Sequence, residues 1–237
     1  LLLALESLAL WGWQRDWQGR RLLVSAGPTR EWLDPARCMS NPSTGRMGVL
    51  LAQAARLRGA EVDLVHGPLQ VESAWLEGLR RHPVETGAEL QRSLEELQPQ
   101  ASAIAMAAAV ADHRPKQRFS EKPDKQALAD AMGAGWESVP DVLRALVERR
   151  PAGQAILGFA AHTGDVLPQA QAKFARKGCD LLFANPIDAA GAGFGSLSNE
   201  GWILGPGAAV ERVEPMGKLA LAHRLLSALA TASGGQG

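Results

Sequence analysis

The chain has 237 residues, with 25 Lys and Arg set against 25 Asp and Glu, so its formal net charge is zero. That balance gives no field to draw it to nucleic acid or to an anionic membrane, and any phosphate it binds must be held by local geometry. Two cysteines, Cys38 and Cys179, lie far apart with no histidine at ligand spacing, which excludes a disulfide framework and a zinc site and fits a reducing cytoplasmic setting.

In chain order, Leu1 to Trp13 is apolar but interrupted by Glu6 and has no basic segment before it, so it reads as a helix or linker over 1–18, left from an upstream domain, rather than as a signal peptide. The rest, 19–231, reads as one domain in which two patterns alternate. Short runs rich in Val, Leu and Ile predict strands over Arg21–Ser25, Glu61–His66, Ser102–Ala107, Gln154–Ala160 and Asp180–Ala184. Between them, apolar residues recur at helical spacing: Met47, Leu50, Leu51 and Ala54, closed by Gly59; then Leu90, Leu94 and Leu97; Leu143, Leu146 and Val147; and Leu167, Ala170 and Phe174. Alternating strands and helices predict an α/β fold, a Rossmann-like, mostly parallel sheet with helices on both faces. Such a sheet takes its ligands beyond the carboxyl ends of its strands. The longest nearly apolar run, Ala103–Ala111, is well short of the ~20 residues a membrane helix needs. Residues 232–237 are rich in glycine and are expected to be a disordered tail.

The first strand is followed by an unusually long connection, AGPTREWLDPARCMSNPSTG from Ala26 to Gly45. It offers Gly27 for close backbone approach, Thr29, Arg30 and Arg37 as donors, the neutral amide of Asn41, and Ser43 or Thr44 as the cap of the next helix, whose free amides would suit an anion. Asn41, Pro42 and Ser43 equally suit a simple turn. The connection is neither a dinucleotide fingerprint, since Pro28 follows Gly27 and no further glycine comes before Gly45, nor a Walker A loop, since it has no Gly-Lys-Ser or Gly-Lys-Thr.

Further on, MAAAVADHRP (Met106–Pro115) pairs small residues, against which a ligand could lie, with Asp112 at the strand's end. Close helix packing would select the same alanines. Lys122 lies in a polar stretch without periodicity, as a solvated lysine or as a flap that closes on a triphosphate. Lys173 and Lys177 sit four apart on one helix face, after the strand carrying Gly158 and Phe159; they are either solvated or phosphate-binding, and Phe159 packs in the core or against a base.

Taken together, the order and spacing of SAGPTRE (Ser25–Glu31), DPARCMSNPSTGRMG (Asp34–Gly48), AAVADHRP (Ala108–Pro115), the Glu121, Lys122 pair, GFAAHT (Gly158–Thr163), AKFARKGCDLLFAN (Ala172–Asn185) and GFGS (Gly193–Ser196) resemble the phosphopantothenate-cysteine ligase family, in particular the ligase half of the bacterial bifunctional protein. The resemblance covers about Arg21 to Leu229. It implies that the substrates are 4'-phosphopantothenate, L-cysteine and CTP with Mg²⁺. It also implies that the protein is a homodimer and that a flavin-dependent phosphopantothenoylcysteine decarboxylase domain accompanies it. Asn41 matches the family's catalytic amide, Lys122 its flap lysine, and Arg37 an arginine that reaches across the dimer to the neighbouring nucleotide. Met106, Ala107, Ala108, Asp112, Phe159, Lys173 and Lys177 match positions that hold the nucleotide, and Pro140, Asp141 and Val142 resemble another segment lining it. The chain departs from the family pattern at Pro123 and Asp124, where further lysines are usual, and at Val139, where an asparagine is usual. Two other readings are a nicotinamide-dependent oxidoreductase, against which the missing glycine fingerprint and the absence of any tyrosine count, and a non-catalytic nucleotide-binding or dimerising module.

Overall fold

The computed structural model describes residues 1–188, 193 and 195–234. Its elements run, in chain order, α1 (Leu2–Trp11), β1 (Arg21–Ala26), β2 (Arg30–Trp32), β3 (Cys38–Ser40), α2 (Arg46–Leu57), β4 (Glu61–His66), β5 (Arg80–Pro83), α3 (Gly87–Leu97), β6 (Ala103–Met106), β7 (His113–Pro115), α4 (Lys125–Ala134), β8 (Trp136–Ser138), α5 (Val142–Arg149), β9 (Ala155–His162), α6 (Val166–Lys177), β10 (Leu181–Pro186), β11 (Ser198–Leu204), β12 (Val210–Gly217) and α7 (Lys218–Gly234).

An eight-stranded sheet in the order β12-β11-β10-β9-β6-β1-β4-β5 forms the centre. The strands from β10 to β5 are parallel, and β11 and β12 extend one edge antiparallel. The mostly parallel α/β sheet expected from the sequence is what the chain folds into. Strand periodicity sends alternate residues to opposite faces. In β1, Leu22, Val24 and Ala26 join the side chains of α2 and α7, while Leu23 joins those of α3, α5 and α6. Helices thus cover both faces, and the central strands β1, β6 and β9 read as largely apolar runs because both of their sides are buried.

Helix starts follow local rules where a capping residue is present. Thr86 accepts from the Glu89 amide at 3.2 Å, and the Glu89 side chain reaches back to the Thr86 amide, closing a capping box on α3. Where α2 begins, the structure corrects the sequence reading: the cap is Gly45, not Ser43 or Thr44. Ser43 Oγ accepts from the Gly45 amide at 3.3 Å and Thr44 Oγ1 from the Arg46 amide at 3.4 Å, so both hydroxyls shape the approach to the helix. Gly45 has φ 77° and lies against Gly27, where a Cβ would come within 3.2 Å of the Gly27 Cα, so only glycine fits both its conformation and its packing.

The long connection after β1 is not an unstructured loop. It folds back as the antiparallel pair β2–β3, anchored by Ser40 Oγ donating to the Thr29 carbonyl at 2.7 Å and by Thr29 Oγ1 accepting from the Ala111 amide at 3.0 Å. The segment over 1–18 carries α1, docked against α7 by a hydrogen bond between Ser7 Oγ and His223 Nε2 at 2.9 Å. The tail expected from 232 onward begins inside α7. This helix continues to Gly234 because Leu225, Leu226 and Leu229 bury its face, and Ser233 Oγ donates to the Leu229 carbonyl. Residues 235–237, and Phe194 of the GFGS stretch, lie outside the described residues. Cys38 is exposed, Cys179 is buried, and both are free. Among the described residues no helix is long and apolar enough to cross a membrane.

Candidate functional site

At the carboxyl ends of β6, β9 and β10 the sheet opens into a cleft of about 780 Å³. It lies where an open parallel sheet presents a crevice between its two helical layers. Its floor is the stretch after β6. Ser25 Oγ accepts from the Ala108 amide at 3.1 Å and lies 3.0 Å from Met106 Sδ, and the Ala109 amide donates to the Gly27 carbonyl. The β1 hydroxyl therefore holds Met106, Ala107 and Ala108 as a flat shelf whose small side chains leave the backbone open to a ligand.

Over this shelf stand residues from both flanks. Phe159 meets Phe183 edge-on, with centroids 5.8 Å apart, and also lines the cleft, so it belongs to the core and to the site at once. Asp141 caps α5 by accepting from the Arg144 amide at 3.2 Å and pairs with the Lys177 ammonium through its other oxygen. Burial pushes the Asp141 carboxyl up, but the Lys177 ammonium and the Arg144 amide outweigh it and hold the group below the usual carboxylate range. Lys173 also lines the cleft; burial, then its neighbours Lys177 and Arg176, lower its pKa, against the pull of Asp112 and Asp141. Such a lysine gains from any anion that enters, because the ligand offsets both the lost hydration and the repulsion.

The structure brings together Asn41, Ser43, Met106, Ala107, Ala108, Asp112, Pro140, Asp141, Val142, Phe159, Lys173 and Lys177. Asn41 enters with its amide already engaged: Nδ2 donates to the Val110 carbonyl at 3.1 Å and to that of Ala109 at 3.3 Å. Four expected residues do not line the cleft. Gly27 and Thr29 are spent on the loop itself, Gly27 at φ 77° beneath the Pro68 carbonyl and Thr29 buried as an anchor. Arg37 pairs with Asp34, Nε to Oδ2 2.6 Å, and donates to the Pro123 carbonyl at 3.3 Å. Lys122 is exposed in the segment that precedes α4. Among the lining residues that the sequence reading did not single out as candidates are the polar side chains of Arg46, Asn185, Asn199 and Lys218. Arg46 was legible in principle, because it stands at the first position of a helix the apolar spacing predicts, where a cation opposes the dipole.

A cleft at the carboxyl edge of a parallel sheet, with a backbone shelf and half-buried lysines, defines an α/β protein with a crevice chemically suited to a small anion. The chain belongs to the family described as DNA/pantothenate metabolism flavoprotein C-terminal domain, whose sequence profile matches residues 17–232. It is 38% identical over 235 residues to the coenzyme A biosynthesis bifunctional protein CoaBC of Mycobacterium bovis, covering 91% of this chain and 53% of that protein. With the Bacillus subtilis protein of the same name it shares 35% identity over 217 residues, 91% of this chain and 52% of that one. The chain thus spans about half the length of these curated relatives. Among solved structures, the crystal structure of the C-terminal domain of a CoaBC protein superposes with a TM-score of 0.73 at 28% identity, covering 92% of this chain and 97% of that one.

Proposed function

We propose that this chain is a phosphopantothenate-cysteine ligase acting in the cytosol, joining 4'-phosphopantothenate to L-cysteine with CTP as the activating nucleotide. The observation that carries this reading is the convergence, on one cleft, of the motif positions from Asn41 to Lys177 that are scattered along the sequence. A nicotinamide cofactor is disfavoured, because the connection after β1 folds into the β2–β3 arm rather than a tight glycine turn.

A carboxylate acylates an amine only after activation. The acid attacks the α-phosphate of CTP and pyrophosphate leaves; the cysteine amine then attacks the acyl carbonyl and CMP leaves. Both steps build negative charge, which fixed donors and cations stabilise. In this chain the alanine shelf and Phe159 hold base and ribose, and Lys173 and Lys177 face the phosphates. Asn41 surrenders one of its backbone partners to donate to the acyl oxygen. Among the described residues no group of three or more metal-ligating side chains exists, yet Asp112 stands at the cleft wall. That donor set fits Mg²⁺, which keeps most of its water and is bound through one carboxylate and substrate phosphates; when bound it neutralises charge developing on them. Release of pyrophosphate from CTP, strictly dependent on phosphopantothenate, tests the proposal, and no release with either CTP or ATP overturns it.

Lys122 acts, in this reading, by closing over the nucleotide. The Lys122→Ala variant should lose about tenfold to a hundredfold in acyl-cytidylate formation, the worth of one charge-assisted hydrogen bond. Its CTP affinity should hold, since the lysines already in the cleft remain. Quench-flow of the first half-reaction measures this, and normal turnover would make Lys122 a plain surface lysine.

A homodimer completes the proposal, because Arg37 stands outside its own cleft and serves a nucleotide only from a neighbouring subunit. The β2–β3 arm, with Cys38, Met39 and Ser40 all exposed, offers the face for it. Sedimentation at micromolar concentration should give twice the chain mass of 25.2 kDa; a fully active monomer would refute the shared site. The flavin-dependent phosphopantothenoylcysteine decarboxylase is the proposed partner activity, as the word bifunctional in the relatives' name suggests.

A further inference from the structure

The cleft has a second cationic end that the nucleotide-facing residues leave unused. Lys173 and Lys177 belong to α6, on the face of the sheet covered by α3 and α5, whereas Arg46 and Lys218 open α2 and α7, which pack together on the opposite face. The Lys218 side chain is almost wholly buried, the residue being 4% exposed, and its Nζ donates to the Gly193 carbonyl at 3.2 Å. Arg46 donates to the carbonyls of Gly195 and Ser196 at 3.3 and 3.4 Å, while its Nε is buried without a partner. Among the described residues neither cation pairs with a carboxylate.

This arrangement is costly in the absence of a ligand. A buried ammonium is ordinarily matched by an anion, because neutral carbonyls recover only part of the lost hydration. Burial and the charge of Arg46 push the Lys218 ammonium down to about 8. Both cations also sit where the positive ends of two helix dipoles meet, and neither helix has an acidic residue in its first turn. Two cations with no carboxylate partner among the described residues, two helix starts and a shared opening into the cleft together suit a compact anion. The amides of Asn185 and Asn199, which also line this end, are neutral and do not supply it.

We propose that Lys218 and Arg46 form a second anion site at this end of the cleft, which takes a phosphoryl group of a substrate, and that Lys218 is a binding residue for it. The proposal rests on the ligase reading for the identity of the substrates. A phosphoryl group reaches the site from one of two sources, the triphosphate tail of the nucleotide or the phosphomonoester of the acid.

Calorimetric titration of wild type and Lys218→Met with CTP and CMP, with phosphopantothenate and pantothenate, and with inorganic pyrophosphate decides it. The expected result is a loss of about tenfold or more for a phosphate-rich ligand, with its phosphate-poor counterpart unaffected. Loss for CTP and pyrophosphate but not CMP places the triphosphate tail here, and loss for phosphopantothenate but not pantothenate places the acid's phosphate here. Unchanged affinity for all five ligands in a folded variant overturns the proposal. The variant should melt at or above the wild-type temperature, as removal of an unmatched buried charge predicts. If Lys218→Met does not fold, Arg46→Gln, at a partly exposed position, is put through the same titrations with the same deciding outcomes. Because pyrophosphate binding needs no turnover, failure of the ligase assay leaves this test standing, and failure here leaves the ligase assay standing.

Discussion

Substituting Asn41 by Asp should separate the two half-reactions, with phosphopantothenoyl-CMP accumulating on the variant. Asn41 reaches the cleft wall from the segment just before α2, and its amide holds the Ala109 and Val110 carbonyls. The proposed reaction needs this amide twice, to keep the shelf in place and to donate to the acyl oxygen as the carbonyl becomes tetrahedral. Aspartate accepts where asparagine donates, so it repels the developing oxyanion; losing one such donor typically costs ~2.7 to 4 kcal/mol, on the order of a hundredfold to a thousandfold in rate. The loss should fall on the cysteine step, because phosphate attack is supported by the lysines. Mass spectrometry of quenched reactions would show the intermediate. The same carboxylate would also face two carbonyls that cannot donate to it, which loosens the shelf. If that were the whole effect, CTP affinity and both half-reactions would fall together with no intermediate, and Asn41 would be a positioning residue only.

How much of this could be read from the sequence depended on whether a residue's neighbours lie near it in the chain. Glu61–His66 matches β4 residue for residue because Val62, Leu64 and Val65, buried between two helical layers, leave a short apolar run that only Asp63 interrupts. The edge strand β5, RRHP, escaped notice because its residues face outward. It is held instead by pairing with β4 and by Arg80 and His82 bonding Asp63, a carboxylate pulled down to about 2 against its burial. The antiparallel β11 and β12 were hidden by glycines and charges that suit a sheet edge but break the apolar pattern.

In the site, the alanine shelf and the α6 lysines were legible because each lies within one short stretch. Lys218 was not, because Gly193 and Arg46, which make its environment unusual, are distant in sequence. Thr29, a donor that the long connection offers, is buried with its Oγ1 accepting from the Ala111 amide, a partner too distant in sequence to be read there.

Replacing Arg58 by Met should destabilise the fold by about 3 kcal/mol, the low end of what breaking a buried ion pair costs, since Asp16 is partly exposed. Arg58 is 1% exposed. Its Nε donates to Asp16 Oδ1 at 2.9 Å, its Nη1 to the His223 carbonyl at 2.8 Å and its Nη2 to Ser227 Oγ at 3.2 Å, and its guanidinium carbon lies 3.8 Å above the Trp11 ring. One side chain therefore ties together the end of α2, the chain before β1, α7 and, through Trp11, α1. At 2 to 4 °C per kcal/mol for a domain of this size, the melting temperature should fall by roughly 6 to 12 °C. A pH series supplies the second signature. Burial, then the charge of Arg58, lowers the His223 pKa to about 4 from an ordinary 6.5. The unfolded chain therefore takes up a proton that the folded one refuses, and wild-type stability contributed by this group is whole above pH 6.5 and drains away as pH falls toward 4. Removing the Arg58 charge lets folded His223 protonate more readily, so the acid loss in Arg58→Met should be shallower than in wild type. Equal slopes in the two proteins, or a melting temperature within 2 °C of wild type, would show that the guanidinium neither clamps α1 nor sets the histidine's charge.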